Sequence, residues 1–583
     1  MADLGGTTRA IRTGAGSVWH VPARRLDVEE RLQKELGVPT LVAASLVARG
    51  IEDPCNAHEF LNPSLSALYP PELLPDYEAA RDAILGARDR GERIYVHGDY
   101  DVDGMTSAAL FKRFLSAIDC DVHVHVPHRE RQGYGVSDDA VEEARAMGAK
   151  LFLTCDCGIS AFEQVEKARS HGMTVVVTDH HTCGDRLPNA HAVVNPHRHD
   201  SRYPFKSLSG AGVVFKLCYG ITRDLDQHLQ SYCNNFLDLA TLGTVADIMP
   251  LVDENRIITR HGLPALTRTK KVGLQALYRV ADLFKNGQGD ISARQIGFAL
   301  GPRLNAAGRL DDAALSLKLL LTKDPVEAQE IAEQLEQLNV DRRAQQALMQ
   351  EEAVAMIESN GLAERYVIVV GKEGWHPGIV GLVAGRILET YRRPAFVVTI
   401  DGGKGKGSAR SYGKFNLAET IRELSDVFES GGGHAQAAGF SVDPSRLDEL
   451  ALRLHQYAEE RLSPADFVVA HKPDASVSVA DFTMAALEQL QSLAPFGHDN
   501  EEPTFVSEGL TVRSIIPTKK PEHVRVTFES DGHYLETIAF GLASRFENVR
   551  LGEQVSVLIQ PSIDTFRGKR QPKFVLKDFA VIP

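Results

Sequence analysis

Three aspartates at alternate positions, Asp99, Asp101 and Asp103, precede Gly104 in the stretch YVHGDYDVDGMTSAAL (95–110). Carboxylates crowded in this way repel one another unless a cation neutralises them. Further along, LFLTCDCG carries Asp156 ahead of Gly158, VVVTDHH delivers Asp179, His180 and His181, and LGTVADIMPL offers Asp247. Carboxylate oxygens mixed with imidazole nitrogens suit Mn²⁺ or a similar transition ion better than Ca²⁺. The acids and histidines are numerous enough for two ions sharing a bridging carboxylate, an arrangement that cleaves phosphoryl esters. Two plainer readings compete. DYDVDG matches the start of an EF-hand loop, but its twelfth position is Leu110 rather than glutamate, and a strand rather than a helix precedes it. A solvated acidic turn is the other. Cys155 and Cys157 read as small core residues.

For these groups to meet, the segments carrying them must end at one edge of a sheet. Residues 78–270 alternate accordingly. RIYVHGD, DVHVHVP, AKLFLTCD and MTVVVTDHH read as strands. Between them MTSAALFKRFLSAI reads as an amphipathic helix, SDDAVEEARAMG as a helix capped by Ser137, and SAFEQVEKARSHG as a third. Short apolar strands separated by helices predict parallel βαβ units, whose functional residues gather beyond the carboxyl ends of the strands.

Residues 324–358 read as one long helix, opened by DPVE with Asp324 as N-cap, proline next and Glu327 completing a capping box. Its thin apolar stripe, Ile331, Leu335, Leu338, Leu348 and Met356, would suit part of a core or a bridge between two domains, and the new pattern that follows favours the bridge. A second α/β pattern starts at RYVIVVG (365–371) and runs to about residue 462. There GGGHAQAAGF (431–440) reads as three glycines ahead of a helix, where backbone amides and a helix N-terminus could receive a phosphate. From about residue 503 five short strands with turn signals predict a small OB-type β-barrel. Lys519 and Lys520 fall on one of its loops, and Arg567, Lys569, Arg570 and Lys573 on another. Phe528, Tyr534 and Phe566 could stack bases or fill the barrel, and the strand-internal Phe528 reads as core.

The 583 residues exceed one core and imply three or four domains. No apolar run approaches a membrane span, and the start, MADLGGTTRAIRTGAG, lacks an apolar leader and reads as a loose tail. Seven cysteines without framework spacing point to a reducing cytoplasm. The net charge of −14 excludes a uniformly basic surface but not a local basic groove for DNA or RNA.

GDYDVDG, CDCG, DHH and GTVADIMPL resemble the four motifs of the DHH phosphoesterase superfamily. GPRLNAAGRL (301–310), WHPGIVG (375–381) and GGGHAQAAGF are similar to segments of the bacterial RecJ exonuclease family within it. The likeness implies a metal-dependent 5′→3′ exonuclease that hydrolyses single-stranded DNA to nucleoside 5′-monophosphates in repair and recombination. The implied fold class is α/β. It comprises a tail with short helices (1–48), a parallel-sheet DHH domain (49–323), a bridging helix (324–360), a smaller α/β DHHA1 domain (361–463) and an OB-type barrel (464–583). The resemblance assigns Asp101 and Asp156 to one divalent cation, with His97 or Asp99 helping, and Asp103, Asp156, His180 and Asp247 to a second. Mn²⁺ is the expected ion, with Mg²⁺ the alternative. His181 would contact the scissile phosphate or protonate the leaving oxygen, with Asp179 orienting an imidazole. Arg303, Asn305, Arg309, His376, Ser408, Arg410, Gly432, Gly433 and His434 would hold the strand, although each arginine could equally form a surface salt bridge. Single-strand binding protein is the expected partner, a helicase a further one, and the chain is expected to act as a cytoplasmic monomer. Two other functions fit the motifs: a phosphodiesterase for short oligonucleotides or cyclic dinucleotides, and a non-catalytic replication scaffold.

Overall fold

The computed structural model describes every residue except 1–7, 15, 130, 134, 226–233, 285–288, 565–569 and 583. The chain forms two compact units, one of residues 69–467 and the other of residues 1–68 with 468–583.

The central unit begins with a five-stranded parallel sheet. Its order is Val122–His125, Ile94–His97, Leu151–Cys155, Thr174–Thr178, Ala192–Val194. The four expected strands are present, and the short AVV segment adds the fifth. The chain leaves Ile94–His97 toward one side and returns on the other at Leu151–Cys155. The strand order therefore reverses between these two neighbours, and a crevice opens beyond their carboxyl ends. The Asp99–Asp103 run and Asp156 lie at that point.

The helix Val102–Ala117 follows, with Asp101 as N-cap accepting the Gly104 amide at 3.0 Å. It was expected to be amphipathic but is buried around nearly its whole circumference. The cause is a second layer: Gly210–Leu225 and Leu237–Ala246 pack on the face a surface helix would give to solvent. Ser137 caps Asp138–Ala146 as expected, its side chain accepting the Ala140 amide at 3.2 Å.

The long helix runs Pro325–Ser359 and bridges two cores. Its first half packs on Val272–Val280 and Gly301–Leu310, and its second half on Val380–Tyr391 and Ile368–Glu373. Asp324 caps it through the Val326 amide, but Glu327 turns to Lys318 and Thr322 instead of closing a capping box. Ile331 and Leu335 are buried as expected, whereas Leu348 is 59 % exposed and faces a cleft.

The second sheet of this unit has the order Ser430–Gly433, Ala437–Val442, Lys404–Arg410, Ala395–Asp401, Ile368–Glu373, antiparallel except for the last pair. This corrects the helix expected after the glycines of GGGHAQAAGF. Gly431–Gly433 lie in a strand that pairs with AAGFSV, whose Ala438, Phe440 and Val442 alternate into the core. Period-two burial of that kind specifies a strand, so no helix N-terminus exists at this site.

In the other unit, the five expected strands Phe505–Pro517, Val524–Ser530, His533–Ala539, Gln554–Asp564 and Gln571–Val581 close into a barrel. Phe528 is fully buried in its core, and Tyr534 is exposed. Phe566, Arg567 and Lys569 lie outside the described residues, and Arg570 pairs with Glu488 at 3.1 Å. Where a loose tail was expected, Thr8–Arg12 and Val18–Pro22 form a hairpin. Trp19 of this hairpin is fully buried among Val506, Leu558 and Ala580. The helices Leu26–Leu36, Thr40–Ala48 and Pro54–Leu61 share one hydrophobic core with the barrel.

Candidate active site

The acids and histidines of four separate segments converge at the sheet crevice. Asp156, the residue after Leu151–Cys155, sits in left-handed conformation at φ 61°. Its carboxylate stands 3.0 Å from His180 Nε2, which is also 3.7 Å from Asp247 Oδ2 and 3.8 Å from Asp103 Oδ2. Three overlapping triplets result: Asp156 with His180 and His181, Asp103 with His180 and Asp247, and Asp99 with Asp101 and Asp156. Within each, one ligand atom per residue lies within 4.8 Å of the others.

The electrostatics of the cluster call for cations. Burial, followed by mutual repulsion, raises the pKa of Asp99, Asp156 and Asp247 well above the usual carboxylate range. Burial and Asp101 raise Asp103 to about 7, against the amides that stabilise its charge. His180 is held neutral, its pKa lowered to about 3 by burial and by His181. Asp99 Oδ1, Asp156 Oδ1 and His97 Nδ1 are buried without a hydrogen-bond partner in this structure. Buried oxygens and an imidazole lone pair left open are what a resident divalent ion satisfies, so the donor set fits the group.

His97 falls outside the three triplets, yet its ring is prepared for ligation. Its Nε2 lies 3.1 Å from the Gly135 carbonyl, which can only accept, so the proton sits on Nε2 and Nδ1 keeps its lone pair. Asp179 has no oxygen to spare. Oδ1 accepts the His180 and His181 amides at 2.7 and 3.0 Å and faces His181 Nδ1 at 2.7 Å; Oδ2 accepts the Ile159 amide at 2.9 Å. It therefore orients His181. Burial alone would suppress the charge on His181, but the hydrogen bond and charge of Asp179, with Asp247 and Asp101, outweigh it and raise the pKa to about 9.

Some supporting residues escaped the sequence reading. The Gly210 and Ala211 amides bind Asp103 at 2.6 and 3.0 Å. A Cβ on Gly210 would come within 2.6 Å of Asp156, and one on Gly243 within 2.4 Å of the Asp103 carboxylate. The glycines of LSGAGVV and TLGTVAD carried the only signal, and glycine in a helix-forming stretch is too common to single out.

A cleft of about 1480 Å³ opens beside Asp101 and runs between the two sheets of the central unit. Asn305, Arg309, His376, Ser408 and Arg410 all line it, together with Arg129, Lys404 and Lys406. Burial, with Arg129, Arg342 and Arg410 nearby, pushes the Arg309 pKa down; burial and Arg129 do the same to Arg410. Asn305 accepts the Val102 amide at 3.2 Å and so also braces the aspartate turn. Arg129, missed in the sequence, stacks over Tyr100 at 5.2 Å. Arg303 does not line the cleft; it pairs with Glu336 of the long helix. His434 meets the acid–histidine cluster at His181, the two rings stacked at 6.2 Å. Gly432 and Gly433 precede it on the exposed strand, Gly433 at φ 148°.

The comparisons with known proteins agree with this architecture. Residues 93–244 match the DHH family, N-terminal domain; residues 363–460 match the DHHA1 domain; residues 473–578 match the RecJ OB domain. The single-stranded-DNA-specific exonuclease RecJ of Bacillus subtilis is 35 % identical over 97 % of this chain and 71 % of its own. That of Escherichia coli is 33 % identical over 95 % of this chain and 98 % of its own. The crystal structure of RecJ in complex with Mn²⁺ from Thermus thermophilus superposes with a TM-score of 0.81 at 29 % identity, covering 97 % of this chain and 79 % of that one. The converging acid–histidine cluster, the arginine-lined cleft, the OB barrel and these near full-length matches place the chain in the RecJ family of DHH proteins.

Proposed function

We propose that this protein is a metal-dependent exonuclease that hydrolyses single-stranded DNA from the 5′ end to nucleoside 5′-monophosphates, serving DNA repair and recombination. One observation carries the reading: three overlapping ligand triplets, one of which includes Asp101 of the cleft wall, adjoin a cleft whose arginines have no carboxylate partner among the described residues. Mn²⁺ or Mg²⁺, found bound in relatives' crystal structures, would neutralise the carboxylates and activate water for attack on the phosphodiester.

Asp99, Asp101 and Asp156 would hold one ion, with His97 beside them; Asp103, His180 and Asp247 would hold the other, with Asp156 shared. Asp103 is aimed by two backbone amides and His181 by Asp179. With its pKa raised and Nδ1 committed to Asp179, His181 would contact the phosphate and give the leaving oxygen a proton through Nε2. Arg309 and Arg410, crowded with Arg129, gain from an anion because it relieves their mutual repulsion, and a guanidinium can grip a phosphate in a fork. Asn305, His376 and Ser408 complete the wall, and His434 beside His181 would meet the strand, with Gly432 and Gly433 letting the backbone approach it.

The proposed division is a catalytic domain of residues 69–323 rather than 49–323, since residues 1–68 belong to the barrel's unit, then a bridging helix to 360, a strand-holding domain to 463 and the barrel. Single-strand binding protein and a helicase are proposed partners. The protein is proposed to act as a cytoplasmic monomer; among the described residues no helix is long and apolar enough to cross a membrane. The test digests 5′- and 3′-labelled single strands, duplexes and a dinucleotide with Mn²⁺ or EDTA. Release of labelled mononucleotide from the 5′-labelled single strand, only with metal, is expected. Preference for the dinucleotide, or activity in EDTA, would refute the reading.

A further inference from the structure

The two most exposed large hydrophobic side chains among the described residues are Phe298, 75 % accessible, and Ile248, 71 %. Ile248 directly follows Asp247, Phe298 belongs to a turn that packs on the helix preceding Asp247, and both sit on irregular backbone. Ile248 ends the helix Leu237–Ala246 at φ 57°, its amide bonding the Val245 carbonyl at 3.2 Å. That left-handed position normally falls to glycine, and a β-branched residue there is strained. Phe298 lies in a π-helical turn, Ile296–Leu300, that packs on the same helix. At the end of the turn, a Cβ on Gly301 would stand 3.7 Å from the Ala246 Cβ. A π turn gives up the regular hydrogen-bond ladder, and such turns concentrate at functional sites. The Arg294 guanidinium lies 5.3 Å over the Phe298 ring.

Each feature costs the fold something. Exposure forfeits the burial of two large apolar side chains, and the backbone of Ile248 adds strain that no packing of its side chain offsets. Strain held beside a reaction centre is a pointer to use in that reaction.

We propose that Ile248 and Phe298 form an apolar platform that receives a nucleobase flanking the scissile phosphate, with Arg294 beside the adjoining phosphate. The proposal rests on the nuclease reading above. Every base has a π face, so such a platform is indifferent to sequence. It also selects for single strands: a base lying on Phe298 cannot remain stacked and paired in a duplex.

The test compares an intact single-stranded oligonucleotide with one carrying abasic residues over its first nucleotides. Wild type is expected to prefer the intact strand by about tenfold in kcat/KM, the worth of one stacked base. Phe298→Ala should lose that preference through the intact strand alone, and Phe298→Trp should restore it. Ile248→Gly should raise the melting temperature by about 2 °C as strain is relieved while losing rate on the intact strand. Equal losses on both substrates, or none, would overturn the platform while leaving the nuclease assignment standing. Wild type inert on both strands with Mn²⁺ present would instead overturn the nuclease reading beneath it.

Discussion

Asp179 Oδ1 lies 2.7 Å from His181 Nδ1 and simultaneously accepts the backbone amide of the same histidine at 3.0 Å. One carboxylate oxygen thus fixes both the ring and the main chain of His181, and settles that Nδ1 is the ring nitrogen turned to Asp179. Asp179→Asn keeps the shape but loses the charge that holds the imidazolium. Activity should fall about 10- to 100-fold, in the range for residues that orient metal-site side chains. A Mn²⁺ titration of rate separates weakened binding from a misaligned proton donor: the former is rescued by more metal, the latter is not.

The carboxylate cluster should make metal a stabilising ligand. Burial and repulsion among Asp156, Asp103, Asp101, Asp247 and Asp99 disfavour the charged, metal-free state. Mn²⁺ at 100 times its dissociation constant should add about 2.7 kcal/mol of stability, visible as a raised melting temperature lost on adding EDTA. Asp156→Ala should abolish nuclease activity and shrink that thermal shift while leaving the metal-free protein no less stable. A variant with near wild-type turnover would end its assignment as the shared ligand.

Gly210 leaves no room for a side chain. Its Cβ would lie 2.6 Å from the Asp156 Cβ, and its amide holds Asp103 at 2.6 Å. Gly210→Ala should therefore displace both carboxylates, costing about 1–3 kcal/mol and more activity than stability. Circular-dichroism melts run beside rate measurements check the disproportion.

Arginines from one motif should behave differently. Arg309 lines the cleft, whereas Arg303 pairs with Glu336. Arg309→Ala should raise KM for single-stranded DNA and reduce the slope of log affinity against log salt by about 1. Arg303→Ala should leave that slope unchanged.

Stability of the other unit should depend on Asp578, which accepts Trp19 Nε1–H at 2.8 Å and pairs with Arg545 at 2.6 Å. Burial works against its charge, but the hydrogen bonds from Ser17, Trp19 and Arg545 prevail and lower its pKa. A carboxylate with a lowered folded pKa contributes stability above its unfolded value near about 3.9, lost as pH falls through the folded value. Asp578→Asn should lower the unfolding midpoint at pH 7, and the gap to wild type should close on acidification below about pH 4.

The sequence by itself determined a great deal. Alternating apolar strands and helices are local patterns, so the parallel sheet, the long helix and the five barrel strands were all legible. The acids and histidines that converge were legible too, because chemistry of this kind requires particular residue types at strand ends. Whatever depends on partners distant in the chain was not. The strand in GGGHAQAAGF exists because AAGFSV pairs with Lys404–Arg410, a hydrogen-bonding partner that no local pattern names. Trp19 reads as part of a tail until Val506, Leu558 and Ala580 surround it. Arg303 and Arg309 look equivalent six residues apart, and only the position of Glu336 on another helix neutralises one and leaves the other facing the cleft. Burial, pairing and steric exclusion are properties of neighbours in space, and tertiary structure alone decides who those neighbours are.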